Sequence, residues 1–179
     1  MTREQTSKEI QYVEICLTGH VVGFSKAVFP RKHKEFCDQC GELIIIFCQN
    51  CGTLIQGSYG SYPGIFRRIF RRITRHSLWH LTFTPANYCP KCGEIYPWTE
   101  IKLNAAQELV DELEKLDDHE KEDLKQSIED IVQNTPRKDA AIIRFKRLVK
   151  KAGPGVLDAL KSILVDITSE AIRKQLFGS

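Results

Sequence analysis

The sequence predicts an α+β protein in two parts: an N-terminal half of short antiparallel strands joined by thiol-rich turns, then a C-terminal bundle of about four helices. Three observations predict it. All seven cysteines lie before residue 93, and six of them form the Cys-x-x-Cys-Gly steps Cys37/Cys40, Cys48/Cys51 and Cys89/Cys92. The apolar runs between these steps are strand-length and β-branched. After Lys102 the cysteines stop and apolar residues recur at helical spacing.

Cys-x-x-Cys lets two thiolates reach one ion from a tight turn, and the Gly that follows supplies the positive φ the turn needs. Zinc is the expected ion, because tetrahedral thiolate sets suit it and its filled d-shell imposes no other geometry. The odd cysteine count argues against a pure disulfide scheme. The polar start at residues 1–9 lacks the apolar core of an export signal, so the expected location is the cytoplasm, where thiols stay reduced. No apolar run approaches the roughly 20 residues of a membrane span. The formal charge of +3 falls to zero once seven thiolates and two zinc ions are counted, so charge distribution says more than the total. Residues 1–100 carry 12 basic and 8 acidic groups, residues 101–133 carry 4 and 11, and residues 134–179 carry 10 and 4.

In chain order, residues 1–9 are expected to be a flexible arm, and residues 10–17 read as a strand entering a turn at Thr18-Gly19. Cys16 and His20 flank that turn in a C-x-x-G-H variant of the knuckle. Alone, each would be an ordinary buried Cys or surface His. Three steps supply six ligands, however, and two tetrahedral sites need eight, which Cys16 and His20 complete. Residues 21–35, with Pro30 and the cluster Arg31, Lys32, His33 and Lys34, read as a loop. Residues 41–47 read as one buried strand, 53–56 as a short strand and 57–64 as a loop. In residues 65–76, Ile65, Phe66, Ile69, Phe70 and Ile73 fall within an arc of about 140° on a helical wheel, opposite Arg67, Arg68, Arg71, Arg72 and Arg75. That pattern predicts a basic amphipathic helix, which could simply pack its apolar face or could dock phosphate, an acidic protein surface or anionic lipid. Residues 78–84 alternate like a strand, and residues 94–100 read as an aromatic-proline closure in which Trp98 packs on the last knuckle.

In the C-terminal half, Asn104 is expected to cap a helix to about Leu116 with Leu109, Leu113 and Leu116 inward. Asp117 or Asp118 caps a second helix to about Gln133, and Thr135-Pro136 opens a third that ends at Gly153. Pro154 opens a fourth, with Leu157, Leu160, Leu164, Ile167 and Ala171 at core spacing. Its apolar content suggests a homo-oligomer contact, and the acidic second helix can lie beside the basic third.

Two ligand pairings are possible. In a sequential scheme Cys16, His20, Cys37 and Cys40 share one ion and Cys48, Cys51, Cys89 and Cys92 the other. In a compact scheme Cys37, Cys40, Cys48 and Cys51 meet around one ion. The compact scheme must fold the spacer between Cys40 and Cys48, about 23 Å when extended, into a hairpin, yet it has no turn residue after Gly41. The sequential scheme is favoured. Four-ligand sets leave no position for water, so the expected chemistry is structural and non-enzymatic. His33-Lys34-Glu35 matches the H-x-E of zinc deaminases, but Tyr88 stands where their P-C-x-x-C step needs proline, which leaves a zinc-dependent hydrolase or deaminase a distant alternative.

The order C-x-x-G-H, F-C-x-x-C-G, C-x-x-C-G, then Y-C-P-K-C-G followed by P-W-T-E resembles a family of uncharacterised bacterial zinc-ribbon proteins with a helical C-terminal region. The resemblance runs from about Cys16 to the C-terminus and implies metal-ligand roles for the same eight residues. It supplies no activity. Thr18 stands where the family pattern more often has Asn, and the arginine-rich segment looks like an insertion. The expected protein is therefore a double zinc ribbon at residues 10–100, with two zinc ions per chain, and a helical bundle at 103–178. It would bind nucleic acid or act in regulation, or else serve as a protein-interaction adaptor.

Overall fold

A computed structural model describes residues 11–26, 34–55 and 85–178. The arm, Arg31, Lys32, His33, the arginine-bearing segment 65–76 and the strand expected at 78–84 lie outside the described residues. The chain divides into two compact units, Met1–Trp98 and Thr99–Ser179.

In the first unit β1 (Gln11–Cys16), β2 (Val21–Lys26) and β3 (Ile44–Ile45) form one antiparallel sheet in the order β2-β1-β3. β2 corrects the loop expected from residue 21 onward. Pro30 and the basic cluster dominate the composition there, but the tight turn at Gly19 folds Val21 straight back on Ile15. The register shifts between Glu14 and Ile15, a bulge of the kind that re-aims a strand end. β3 is shorter than the strand expected over residues 41–47. Only Ile44 and Ile45 pair with β1, while Leu43 bridges to Phe36 and Phe47 to Leu54, each inside a different knuckle. The Ile55 carbonyl accepts from the Val13 N–H at 3.0 Å, and the Ile55 N–H donates to the Ile46 carbonyl at 2.8 Å. Val13, Ile15, Ile55, Tyr96 and Trp98 then close a core that also contains Cys48 and Cys89.

The second unit holds five helices rather than about four, although α1 starts at the end of the first unit: α1 (Pro97–Asp111), α2 (Asp118–Val132), α3 (Lys138–Ala152), α4 (Val156–Leu164) and α5 (Glu170–Phe177). α1 starts seven residues before Asn104, because Pro97 fits the first helical position, where no N–H is needed. Its buried face is accordingly Leu103, Ala106 and Val110. Asp117 and Glu120 form a reciprocal capping box at the start of α2. α3 begins at Lys138 because Thr135 makes a local turn instead of a cap, accepting from the Arg137 N–H at 3.2 Å and donating to the buried Asp130 carboxylate at 2.9 Å. The expected fourth helix breaks in two. The Thr168 hydroxyl donates to the Leu164 carbonyl at 2.7 Å, and Ser169 caps the new helix by accepting from the Ile172 N–H. The break resets the helical phase, so Ala171 is exposed while Ile172 is buried; Ile167 is buried as the spacing predicts, and Leu157, near the start of α4, is exposed. α3 packs against α2, α4 and α5, with Phe145 fully buried, and the acidic α2 does lie beside the basic α3. Among the described residues no helix is long and apolar enough to cross a membrane.

Candidate metal centres

Three knuckles share one backbone construction. In the first, the Cys37 N–H donates to the Glu42 carbonyl at 2.8 Å and the Gly41 N–H to the Cys37 carbonyl at 2.9 Å. Cys48 with Thr53 and Gly52, and Cys89 with Glu94 and Gly93, repeat the pair at the same distances. Gly41, Gly52 and Gly93 hold φ of 76°, 68° and 75°, the left-handed region that a side chain disfavours. An aromatic residue before each first Cys bridges to an aliphatic one after the Gly: Phe36 to Leu43, Phe47 to Leu54 and Tyr88 to Ile95. The β1–β2 turn is the variant, with the Gly19 N–H on the Cys16 carbonyl at 2.9 Å and the Cys16 N–H on the His20 carbonyl at 3.0 Å.

These turns bring the eight candidate ligands into two groups, Cys16, His20, Cys37 and Cys40, and Cys48, Cys51, Cys89 and Cys92, with all ligand atoms of a group within 4.8 Å of one another. The grouping is the sequential one. In the first, Cys16 Sγ lies 3.7 Å from Cys40 Sγ and 3.5 Å from His20 Nδ1, which lies 3.3 Å from Cys40 Sγ and 3.8 Å from Cys37 Sγ. In the second, Cys48 and Cys92 sulfurs are 3.7 Å apart and Cys51 and Cys89 sulfurs 3.6 Å. A tetrahedron of metal–sulfur bonds near 2.3 Å has edges of about 3.8 Å, whereas a disulfide needs about 2.05 Å. The spacing therefore fits four donors around one metal ion, and the soft donor sets are compatible with zinc. In both groups the first ligand of each turn is buried and the second lies nearer the surface, with Cys40 and Cys92 exposed.

Metal binding requires thiolates, and the surroundings favour them unevenly: Cys40, Cys51 and Cys89 are lowered, whereas at Cys92 the Glu94 N–H is outweighed by burial and the neighbouring Cys51, Cys89 and Cys48 sulfurs, which raise it to about 11. The Thr18 hydroxyl, and then the Glu42 N–H, hold Cys40 down at about 6. Backbone N–H donation from Cys92 works against burial to hold Cys89 at about 6, and the Thr53 hydroxyl lowers Cys51. Burial pushes Cys37 up. Burial, followed by the hydrogen bond to Cys89, raises the Tyr96 phenol above its ordinary range, so Tyr96 stays protonated and can donate to the sulfur. Tyr96 also stacks on Trp98 with ring centroids 4.5 Å apart, and Trp98 Nε1 donates to the Ala86 carbonyl at 3.0 Å.

Thr18, Thr53 and Tyr96 are neighbours of the ligands that the ligand count passed over. Thr18 and Thr53 carry a hydroxyl within two residues of a ligand, a signal readable in the sequence, whereas Tyr96 lies four residues beyond Cys92 and shows its role only in three dimensions. Arg67, Arg68, Arg71, Arg72 and Arg75 lie outside the described residues. No curated protein and no solved structure matches the chain. The sequence does match, over residues 9–176, the model of one bacterial family, and the chain belongs to it: the family described as an uncharacterized protein conserved in bacteria (DUF2321).

Proposed function

We propose that the protein is a non-enzymatic module with two structural zinc ions that binds nucleic acid through Arg67, Arg68, Arg71, Arg72 and Arg75. The observation that carries this reading is the construction of the second metal group. Its halves, Cys48/Cys51 and Cys89/Cys92, flank the arginine-bearing stretch in sequence, and their sulfurs meet at 3.6–3.7 Å. A metal ion there would hold Cys51 and Cys89, on either side of the stretch, next to each other. Guanidinium groups suit bidentate phosphate contact. Two four-donor sets leave no open position on the metal, which supports a structural role over a hydrolase or deaminase.

The test is nucleic-acid binding against salt. Affinity should fall steeply as salt rises, and replacing Arg67, Arg68, Arg71 and Arg72 by Gln should flatten the slope. Equal affinity and slope for the variant would refute the reading. A second reading, a protein-interaction adaptor whose helices also oligomerise, is favoured by Phe36, Leu43 and Phe47, apolar knuckle residues that are 58%, 42% and 47% exposed. It expects association insensitive to salt. Metal analysis should find two zinc ions per chain.

A further inference from the structure

The Thr18 hydroxyl touches more of the first metal group than its neighbours on the backbone require. Its oxygen lies 3.1 Å from Cys16 Sγ, 3.1 Å from Cys40 Sγ and 3.3 Å from His20 Nδ1, so it caps the face formed by three of the four donors. Those distances are shorter than the edge of about 3.8 Å between two sulfur donors on one metal and match hydrogen bonds to sulfur. A ring nitrogen bound to a metal has no proton and no free lone pair, so the single hydroxyl proton serves the two thiolates. The second group differs: there the Thr53 hydroxyl oxygen lies 3.1 Å from Cys51 Sγ alone.

We infer that Thr18 is the positioning residue of the first metal site, its hydroxyl donating to the Cys16 and Cys40 thiolates and covering the face through which a competing ligand would enter. The inference rests on the two-metal reading above. Hydrogen bonding to a metal-bound thiolate draws charge from the sulfur, so it is protonated and attacked less readily, and the oxygen occupies the space an incoming donor needs.

The experiment measures metal release from the full chain to a chromogenic chelator, with cobalt(II) spectra of the same proteins. Thr18→Val keeps the shape and removes the donor; Thr18→Ser restores it. Thr18→Val should release half of its metal about 10- to 100-fold faster than the wild type, with the other half unchanged, and should shift the thiolate-to-cobalt charge-transfer band. Thr18→Ser should resemble the wild type, and Thr53→Val should show a smaller effect. Thr18→Ala carries the same expectation if the valine variant does not fold. Release and spectra equal to the wild type in the variant lacking the hydroxyl would overturn the role of Thr18 while leaving two metals per chain intact. A wild type that binds fewer than two metals would instead overturn the reading beneath it.

Discussion

Gly19 and Trp98 stand so close that a Cβ on Gly19 would lie 2.9 Å from Trp98 Cβ. The φ of Gly19 is +95°, so a side chain there meets both a strained backbone and an indole. Gly19→Ala is expected to cost about 1–3 kcal/mol and to weaken the first metal site, because the turn carries both Cys16 and His20. Chemical denaturation with metal titration checks it; unchanged affinity and midpoint would refute the contact.

Trp98 should matter from its own side as well. Trp98→Ala removes a buried side chain that stacks on Tyr96, and it is expected to destabilise the first unit by about 3–5 kcal/mol. Trp98→Phe keeps an aromatic ring and loses the hydrogen bond to the Ala86 carbonyl, so its cost should be smaller. Denaturant midpoints for the two variants, in that order, are the measurement.

Removing metal should affect the units unequally. Each ligand lies in Met1–Trp98, whereas the core of the second unit, around Leu124, Ile128, Phe145 and Leu160, contains none. In a Trp79→Phe background, a strong chelator is expected to change the environment-dependent signal of Trp98 while far-ultraviolet circular dichroism retains the helical spectrum. Parallel loss of both signals would contradict it.

The helical unit should weaken in acid through Glu120. Lys151, and then the Asp117 N–H, hold its carboxyl below the ordinary 4.5. A depressed folded-state pKa stabilises above the unfolded value and is lost as pH falls through the folded one. Glu120→Gln should therefore be less stable than the wild type at neutral pH, and the gap should close below about pH 4.5, read from urea melts followed by helical circular dichroism. A gap that persists in acid would contradict a role for the ionised carboxylate, since Gln can complete the capping box as Glu does.

Much of the metal architecture was legible in the sequence, because Cys-x-x-Cys-Gly fixes a local turn whatever surrounds it, and counting donors completes the set with Cys16 and His20. The division of residues 165–169 was not legible. No Gly or Pro stands there; a hydroxyl from Thr168 and a cap from Ser169 end one helix and start another, and both residues occur inside helices elsewhere. β2 was hidden for a related reason: its partner, β1, decides it, while its own composition is diluted by Gly23 and the basic residues that follow. The capping of the first metal group by Thr18 depends on Cys40, twenty-two residues away in sequence, and no local pattern carries that distance.

The order of the ligands along the chain also bears on synthesis. The first group ends at Cys40 and the second begins at Cys48, with no interleaving. A nascent chain thus holds every donor of the first group once residue 40 has been made, while the second waits about 50 residues more for Cys92. At bacterial elongation rates of about 5–20 residues per second that interval is several seconds. Through that interval Cys16, His20, Cys37 and Cys40 already make a complete donor set, so an ion bound there would precede any in the second group.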